Sequence, residues 1–292
     1  MKKILFTGSA TALITPFNDD YSVNFDLLSK LVDFQIRNNT QALIILGTTG
    51  ESPTVTYEER TKIISQVVKQ VNKRIPIIVG AGSNSTRTAL KLSLEAESLG
   101  ADGLLIVTPF YNRTSQKGLI EHYSLIANKV SLPIILYNVP SRTGVNILPS
   151  TYKILSEIQN IVATKEANGD ISSVIETKSL CGDNLEVYSG NDDQTLPIMS
   201  VGGIGVISVF SNIMPKESQL IASGKKSKEL LMKYYDLMSA LFCDINPIPV
   251  KYALNFLGVK CGKCRLPLCD LSENMKRKLE SILLRHKINL NL

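Results

Sequence analysis

One rhythm constrains the fold of this chain more than any other feature. Apolar, β-rich runs recur at intervals of roughly 25 to 35 residues, each followed by a loop rich in Gly, Pro, Thr or Asn and then by apolar positions at helical spacing. The runs lie at 10–15, 42–46, 76–79, 103–107, 133–137, 161–164, 185–188 and 205–209. Repeated βαβ units of this kind make parallel sheets, and this many in succession predict a closed (β/α)8 TIM barrel over residues 1–224.

The intervening helices carry their own boundary signals. Thr56 with Glu59 three residues on is a capping box ahead of Ile63, Ile64, Val67, Val68 and Val71. A second helix runs from about Thr86 and stops at Gly100, with Leu90 and Leu94 expected on the buried face and Lys91, Glu95 and Glu97 in solvent. Pro149 suits the first turn of a helix containing Tyr152, Ile154, Leu155 and Ile158. Past the last run the alternation stops, and helices are expected at 230–242, 248–257 and 271–285. No low-complexity linker precedes them, so residues 225–292 are expected to pack on the barrel.

Composition excludes several classes. With 292 residues, 44% of them hydrophobic, the chain can bury a large core and is not disordered. The net charge of +6 is partly carried by Lys276, Arg277, Lys278, Arg285 and Lys287. These interleave with Leu279, Ile282 and Leu283 at helical spacing, which describes a solvated helix face rather than a nucleic-acid surface. The basic N-terminus has no apolar stretch behind it, and no segment approaches the roughly 20 apolar residues of a membrane span, so a cytoplasmic protein is expected. Cys261 and Cys264 have the spacing of half a zinc site, but a structural site wants four ligands and His122 and His286 lack ligand spacing. The cysteines are therefore expected to be reduced thiols, without a metal.

In a parallel barrel, reactive groups gather at the C-terminal ends of the strands. Lys165 closes the run from Ile161 to Thr164 and so should stand at a strand end against hydrocarbon. Burial disfavours the ammonium, and a neutral buried amine can attack a carbonyl to form a Schiff base. A strand-end lysine can equally pair with Glu166 or reach solvent. The second strand ends in Gly47-Thr48-Thr49-Gly50-Glu51-Ser52, whose hydroxyls and backbone amides could hold a small carboxylate or simply cap a turn. The fourth and fifth strands end in Tyr111 and Tyr137, phenols able to pass a proton if hydrogen-bonded to a threonine. Arg142, in a Pro-Ser-Arg-Thr-Gly loop, suits bidentate carboxylate recognition or a surface ion pair. Gly190 and the Gly202 to Ser208 run offer backbone near the mouth.

Taken together, these motifs resemble the dihydrodipicolinate synthase family of class I pyruvate-dependent aldolases. The resemblance runs from Gly8-Ser9-Ala10-Thr11-Ala12 through the Gly-Thr-Thr-Gly-Glu-Ser, Tyr-Asn-Val-Pro-Ser-Arg-Thr-Gly and Lys-Glu-Ala segments to Asn246-Pro247-Ile248-Pro249-Val250-Lys251. It implies that Lys165 forms an imine with pyruvate, that Tyr137, Thr48 and Tyr111 relay protons, and that Tyr111 reaches into a neighbouring subunit. It further implies that Thr49 holds the pyruvate carboxylate, that Arg142 meets the carboxylate of L-aspartate 4-semialdehyde, and that Gly190 and Ile207 present backbone to the site. Lysine biosynthesis through diaminopimelate, a homotetramer made as a pair of dimers, and no metal or cofactor complete the implied picture.

Some members of the family bind lysine as an inhibitor between subunits. The corresponding positions here read Tyr57, Arg60, Thr88 and Phe110, with Ser52 and Asn84 retained, so insensitivity to lysine is expected. Two rivals remain open from the sequence: a sialic-acid or keto-deoxy sugar acid lyase that keeps Lys165 and Tyr137, and a silent barrel that binds a keto acid.

Overall fold

In the computed structural model, which describes residues 2–290 and 292, the strands are β1 (Gly8–Ala12), β2 (Ala42–Ile45), β3 (Ile77–Gly80), β4 (Gly103–Val107), β5 (Ile134–Asn138), β6 (Ile161–Glu166), β7 (Glu186–Ser189) and β8 (Gly205–Ser208). They pair in parallel in chain order, and β8 returns to β1, closing the TIM barrel that the rhythm predicts. Around it lie α1 (Phe25–Arg37), α2 (Tyr57–Val71), α3 (Thr86–Ser98), α4 (Gln116–Ala127), α5 (Pro140–Thr143), α6 (Pro149–Leu155), α7 (Ile171–Cys181), α8 (Thr195–Ser200) and α9 (Pro215–Ala222). Then come α10 (Ser227–Ala240), α11 (Ile248–Phe256) and α12 (Glu273–His286).

The local signals explain the boundaries. Thr56 and Glu59 form the capping box that opens α2, and Pro149 sits in the first turn of α6. Three expectations need correction. The first strand begins two residues earlier than read, and α6 stops at Leu155, short of Ile158. In α3 it is Leu94 that faces solvent, while Glu95 is buried, because its carboxylate pairs with Arg60 of α2 at 2.7 Å. Periodicity cannot foresee that a neighbouring helix will offer a buried guanidinium.

Side chains of the strands alternate between two cores. Ala10, Ala12, Ala42, Ile44, Ile78, Leu105, Ile135, Ala163 and Ile207 fill the barrel interior, whereas Leu43, Ile45, Ile77, Val79, Leu104, Ile106, Ile134 and Leu136 face the helices. Phe6, stacked on Tyr188 with ring centroids 4.2 Å apart, belongs to the inner core. Leu237, Leu241, Val250, Leu254, Leu279 and Leu283 of α10–α12 and the residues beside them join the outer core, so this segment is packed on the barrel.

One irregularity decides the chemistry of the mouth. Ile134 pairs with Ile161, but Ile135 pairs with Ala163, so β6 carries one extra residue. A one-residue shift moves every later side chain to the opposite face. Without it Thr164 would stand beside Tyr137 and Lys165 would point into the helix layer. With it Tyr137, Lys165 and Tyr188 lie side by side in register, and Asn138, Glu166 and Ser189 follow them.

Candidate active site

The bulge delivers Lys165 to the barrel interior. The side chain is 5% exposed, and Nζ lies 4.3 Å from the centroid of the Tyr137 ring, itself buried. No hydrogen bond or ion pair holds Nζ among the described residues. Glu166 does not pair with it, because alternation sends that carboxylate outward. There it accepts from Asn138 Nδ2 at 2.9 and 3.2 Å, from the Tyr152 hydroxyl at 2.9 Å and from the Asn168 amide at 3.1 Å. Burial pushes the Glu166 carboxyl up to about 7 against the pull of these donors.

Asp192, just beyond β7, is a second buried carboxylate close enough to Lys165 to feel its charge. The Val209 and Phe210 amides donate to its Oδ2 at 3.1 and 2.9 Å. Burial raises its carboxyl, while the Ser208 hydroxyl, those amides and the charge of Lys165 pull it down. Nothing in the sequence pattern singles out Asp192.

At the end of β2 the chain turns sharply, with the Gly50 and Glu51 amides donating to the Gly47 and Thr48 carbonyls at 3.1 Å each. Gly50 has no room for a side chain, since a Cβ would come within 3.0 Å of the Leu46 nitrogen. Thr49 is buried and its Oγ1 accepts from Asn246 Nδ2 at 3.0 Å. Glu51 is held by a buried ion pair with Lys251 of α11, 2.8 Å long, and also accepts from the Arg265 amide at 2.9 Å.

Thr48, Val139, Arg142 and Asn246 line a cavity of about 540 Å³ that extends to Ser52, Tyr57, Arg60 and Phe110. Lys165 and Tyr137 are not among its lining residues. Arg142 sits in the last turn of α5, which Gly144 ends in a left-handed conformation, and its Nη2 donates to the Asn246 carbonyl at 3.2 Å. The Pro-Ser-Arg-Thr-Gly loop is thus a single helical turn. Arg60, in the far wall, is consumed by Glu95 and by the Gly80 carbonyl at 2.8 Å.

Gly190 follows β7 and donates its amide to the Glu166 carbonyl at 2.7 Å, and a Cβ there would stand 2.7 Å from that of Ala167. Ile207 is buried in β8 opposite Ala10. Tyr111 stands apart: it is 90% exposed with φ +71, outside the cavity of its own chain. The structure therefore brings Lys165 and Tyr137 together, sets Thr48 and Arg142 on one cavity, and leaves Tyr111 on the surface. All five cysteines are free thiols, and burial pushes Cys261 and Cys264 up to about 12, so both stay protonated. Among the described residues, no helix is long and apolar enough to cross a membrane.

Residues 5–286 match the model of the dihydrodipicolinate synthetase family. A 4-hydroxy-tetrahydrodipicolinate synthase of Caldicellulosiruptor saccharolyticus is 51% identical over 98% of this chain and 99% of its own. A crystal structure of dihydrodipicolinate synthase from Thermotoga maritima superposes with a TM-score of 0.94 at 45% identity, over 97% of this chain and 99% of that one. Another from Acinetobacter baumannii, solved in complex with pyruvate, gives a TM-score of 0.94 at 42% identity over the same shares.

Proposed function

The chain belongs to the dihydrodipicolinate synthetase family and is a lyase of the class I aldolase type, and from that premise we propose that it condenses pyruvate with L-aspartate 4-semialdehyde as a 4-hydroxy-tetrahydrodipicolinate synthase. The observation that carries the reading is a buried lysine amine, without a hydrogen bond or ion pair among the described residues, beside a buried phenol.

The free amine of Lys165 attacks the keto carbon of pyruvate, and loss of water leaves a protonated imine. Its positive nitrogen draws electrons from the methyl carbon, so a proton leaves and an enamine forms. The enamine carbon adds to the aldehyde of the second substrate, whose own amine then closes the ring and releases Lys165. The imine is the electron sink, so the scheme calls on no cofactor. Tyr137, whose ring centroid lies 4.3 Å from the lysine nitrogen, is the phenol to move these protons, with Thr48 next in the relay. Thr49 holds the pyruvate carboxylate and Arg142 the second carboxylate, while Gly190 and Ile207 supply backbone. The exposure and left-handed backbone of Tyr111 suit a side chain that reaches into a neighbouring subunit, consistent with a homotetramer built as a pair of dimers. A cytoplasmic setting suits the reaction and its free thiols.

Borohydride reduction in the presence of pyruvate tests the reading: an adduct mass on the peptide bearing Lys165 is expected, and no adduct there overturns it. Turnover with N-acetylmannosamine in place of the semialdehyde would favour a sialic-acid lyase instead.

Insensitivity to lysine belongs to the same proposal. Arg60 is neutralised by Glu95, so repulsion of the ligand's ammonium contributes little. What weakens lysine is the lack of a carboxylate at Thr88 and of a phenol at Phe110, the latter a residue of the cavity wall. Half-inhibition by lysine is expected only above about 1 mM, a binding energy weaker than about 4 kcal/mol, and half-inhibition below that concentration would refute it.

A further inference from the structure

We propose that Cys264 and Cys269 are a modification site, a thiol pair that closes into a reversible disulfide by exchange with a low-molecular-weight disulfide of the glutathione class. The site is a second cavity, of about 320 Å³, whose walls include Cys264, Cys269, Lys263, Asp270 and Lys251 but neither Thr48 nor Arg142. Two ties set the chain beside it into a tight turn. The Leu268 amide donates to the Arg265 carbonyl at 3.1 Å, and Lys263 Nζ pairs with Asp270 Oδ2 at 2.8 Å. Cys264 and Cys269 are the residues between these ties, one on each arm of the turn. Directly opposed residues of antiparallel arms have Cα atoms roughly 4.5–5.5 Å apart, inside the span of roughly 4.4–6.8 Å that a disulfide bridges.

The two thiols differ as the two halves of an exchange pair should. Cys269 is exposed and meets an incoming disulfide first, whereas Cys264 is buried behind it. The Cys269 thiolate attacks one sulfur of the incoming disulfide and expels the other as a thiolate. Cys264 then gives its proton to solvent and attacks the Cys269 sulfur, expelling the second thiolate. One S–S bond forms for one that is lost, the two cysteines are oxidised, and the incoming disulfide leaves reduced as two thiols. Burial pushes the Cys264 thiol up to about 12, which makes closure the slow step. Cys261 stays out of the exchange. It is fully buried, does not line the cavity, and its Sγ donates to the Lys251 carbonyl at 3.5 Å. The bond fastens a turn that already ties the C-terminal segment to the barrel, because Arg265 within it donates its amide to Glu51 at 2.9 Å and its Nη1 to Glu59 at 2.7 Å.

The test treats the folded chain with excess oxidised glutathione at mildly alkaline pH, alkylates the remaining thiols and digests with trypsin without reduction. Cleavage after Lys263, Arg265 and Lys276 puts the three neighbouring cysteines on separate peptides, 261–263, 264–265 and 266–276. Peptide 264–265 is expected joined to 266–276, and dithiothreitol should separate them. In Cys264→Ser the reaction should stop with glutathione held on Cys269. The closed protein should also unfold at a higher urea concentration than Cys269→Ser treated alike, since the bond limits the unfolded chain. The proposal is overturned if wild-type peptides 264–265 and 266–276 stay apart, whether their thiols remain free or Cys269 keeps its glutathione. Peptide 261–263 joined to either one, or a urea midpoint no higher than that of Cys269→Ser, overturns it equally.

Discussion

Lys165 at the mouth of the barrel and Lys251 in α11 are buried to a similar degree, 5% and 1% exposed, yet their surroundings are opposite. Lys251 Nζ is locked between Glu51 Oε1 at 2.8 Å and the Lys263 carbonyl at 2.9 Å, above the Phe17 ring. A carboxylate and a carbonyl hold its nitrogen from two sides, so it is not free to attack anything. Lys165 has a phenol ring for a neighbour and no acceptor in bonding contact among the described residues. Burial alone does not make an amine a nucleophile; burial without partners does. The same opposition recurs across the β6 backbone, where Lys165 lacks a partner among the described residues inside and Glu166, one residue on, accepts from several donors outside.

The largest effect should come from removing the amine proposed to form the imine. Lys165→Met is expected to lower turnover by roughly 10⁴-fold or more while leaving the urea midpoint nearly unchanged. Tyr137→Phe should slow turnover by about 10²- to 10⁴-fold, the usual worth of a proton-transfer group, yet still form an adduct with pyruvate and borohydride. Lys251→Met should do the reverse of Lys165→Met. It strands the Glu51 carboxylate and should cost about 3–5 kcal/mol of stability in urea unfolding, with Lys165 still open to pyruvate in the folded fraction. A stable Lys251→Met protein would mean that the two lysines differ less than their contacts say.

The smallest effect concerns two buried groups with opposed titrations. The Glu166 carboxyl is raised from 4.5 to about 7 by burial, so its contribution is full below pH 4.5 and is lost as pH rises through about 7. His122 is lowered from 6.5 to about 4 by burial, so it contributes above pH 6.5 and its share is lost as pH falls towards 4. Each amounts to about 2 kcal/mol between about pH 5 and pH 7, with opposite sign, and in the wild type they nearly cancel. Replacing His122 by Leu should expose the Glu166 slope, making the protein less stable at pH 7 than at pH 5 relative to the wild type. Glu166→Gln should expose the reverse, and unfolding curves at the two pH values that stay parallel to wild type would show that neither group is perturbed in this way.

Much of this was legible in the residues before any coordinates. The alternation of apolar runs and helical patterns dictates parallel strands wrapped by helices, because no other arrangement buries both kinds of periodicity at once. The capping box at Thr56, the glycines of the β2 turn and the position of Lys165 at the end of an apolar run are local properties, and local properties can be read from neighbours in sequence. Other features depend on partners remote along the chain. Glu95 faces inward only because Arg60 waits there, and Asn246 matters only because its loop reaches Thr49, 197 residues away. The inward aim of Lys165 depends on a single extra residue in β6, set by how that strand pairs with β5. What the sequence determined by itself was the barrel and the presence of a lysine at the end of its sixth strand. Which face of the strand that lysine occupies, and whether anything there holds its nitrogen, was decided by tertiary pairing, since a register shift leaves composition and periodicity untouched while reversing inside and outside.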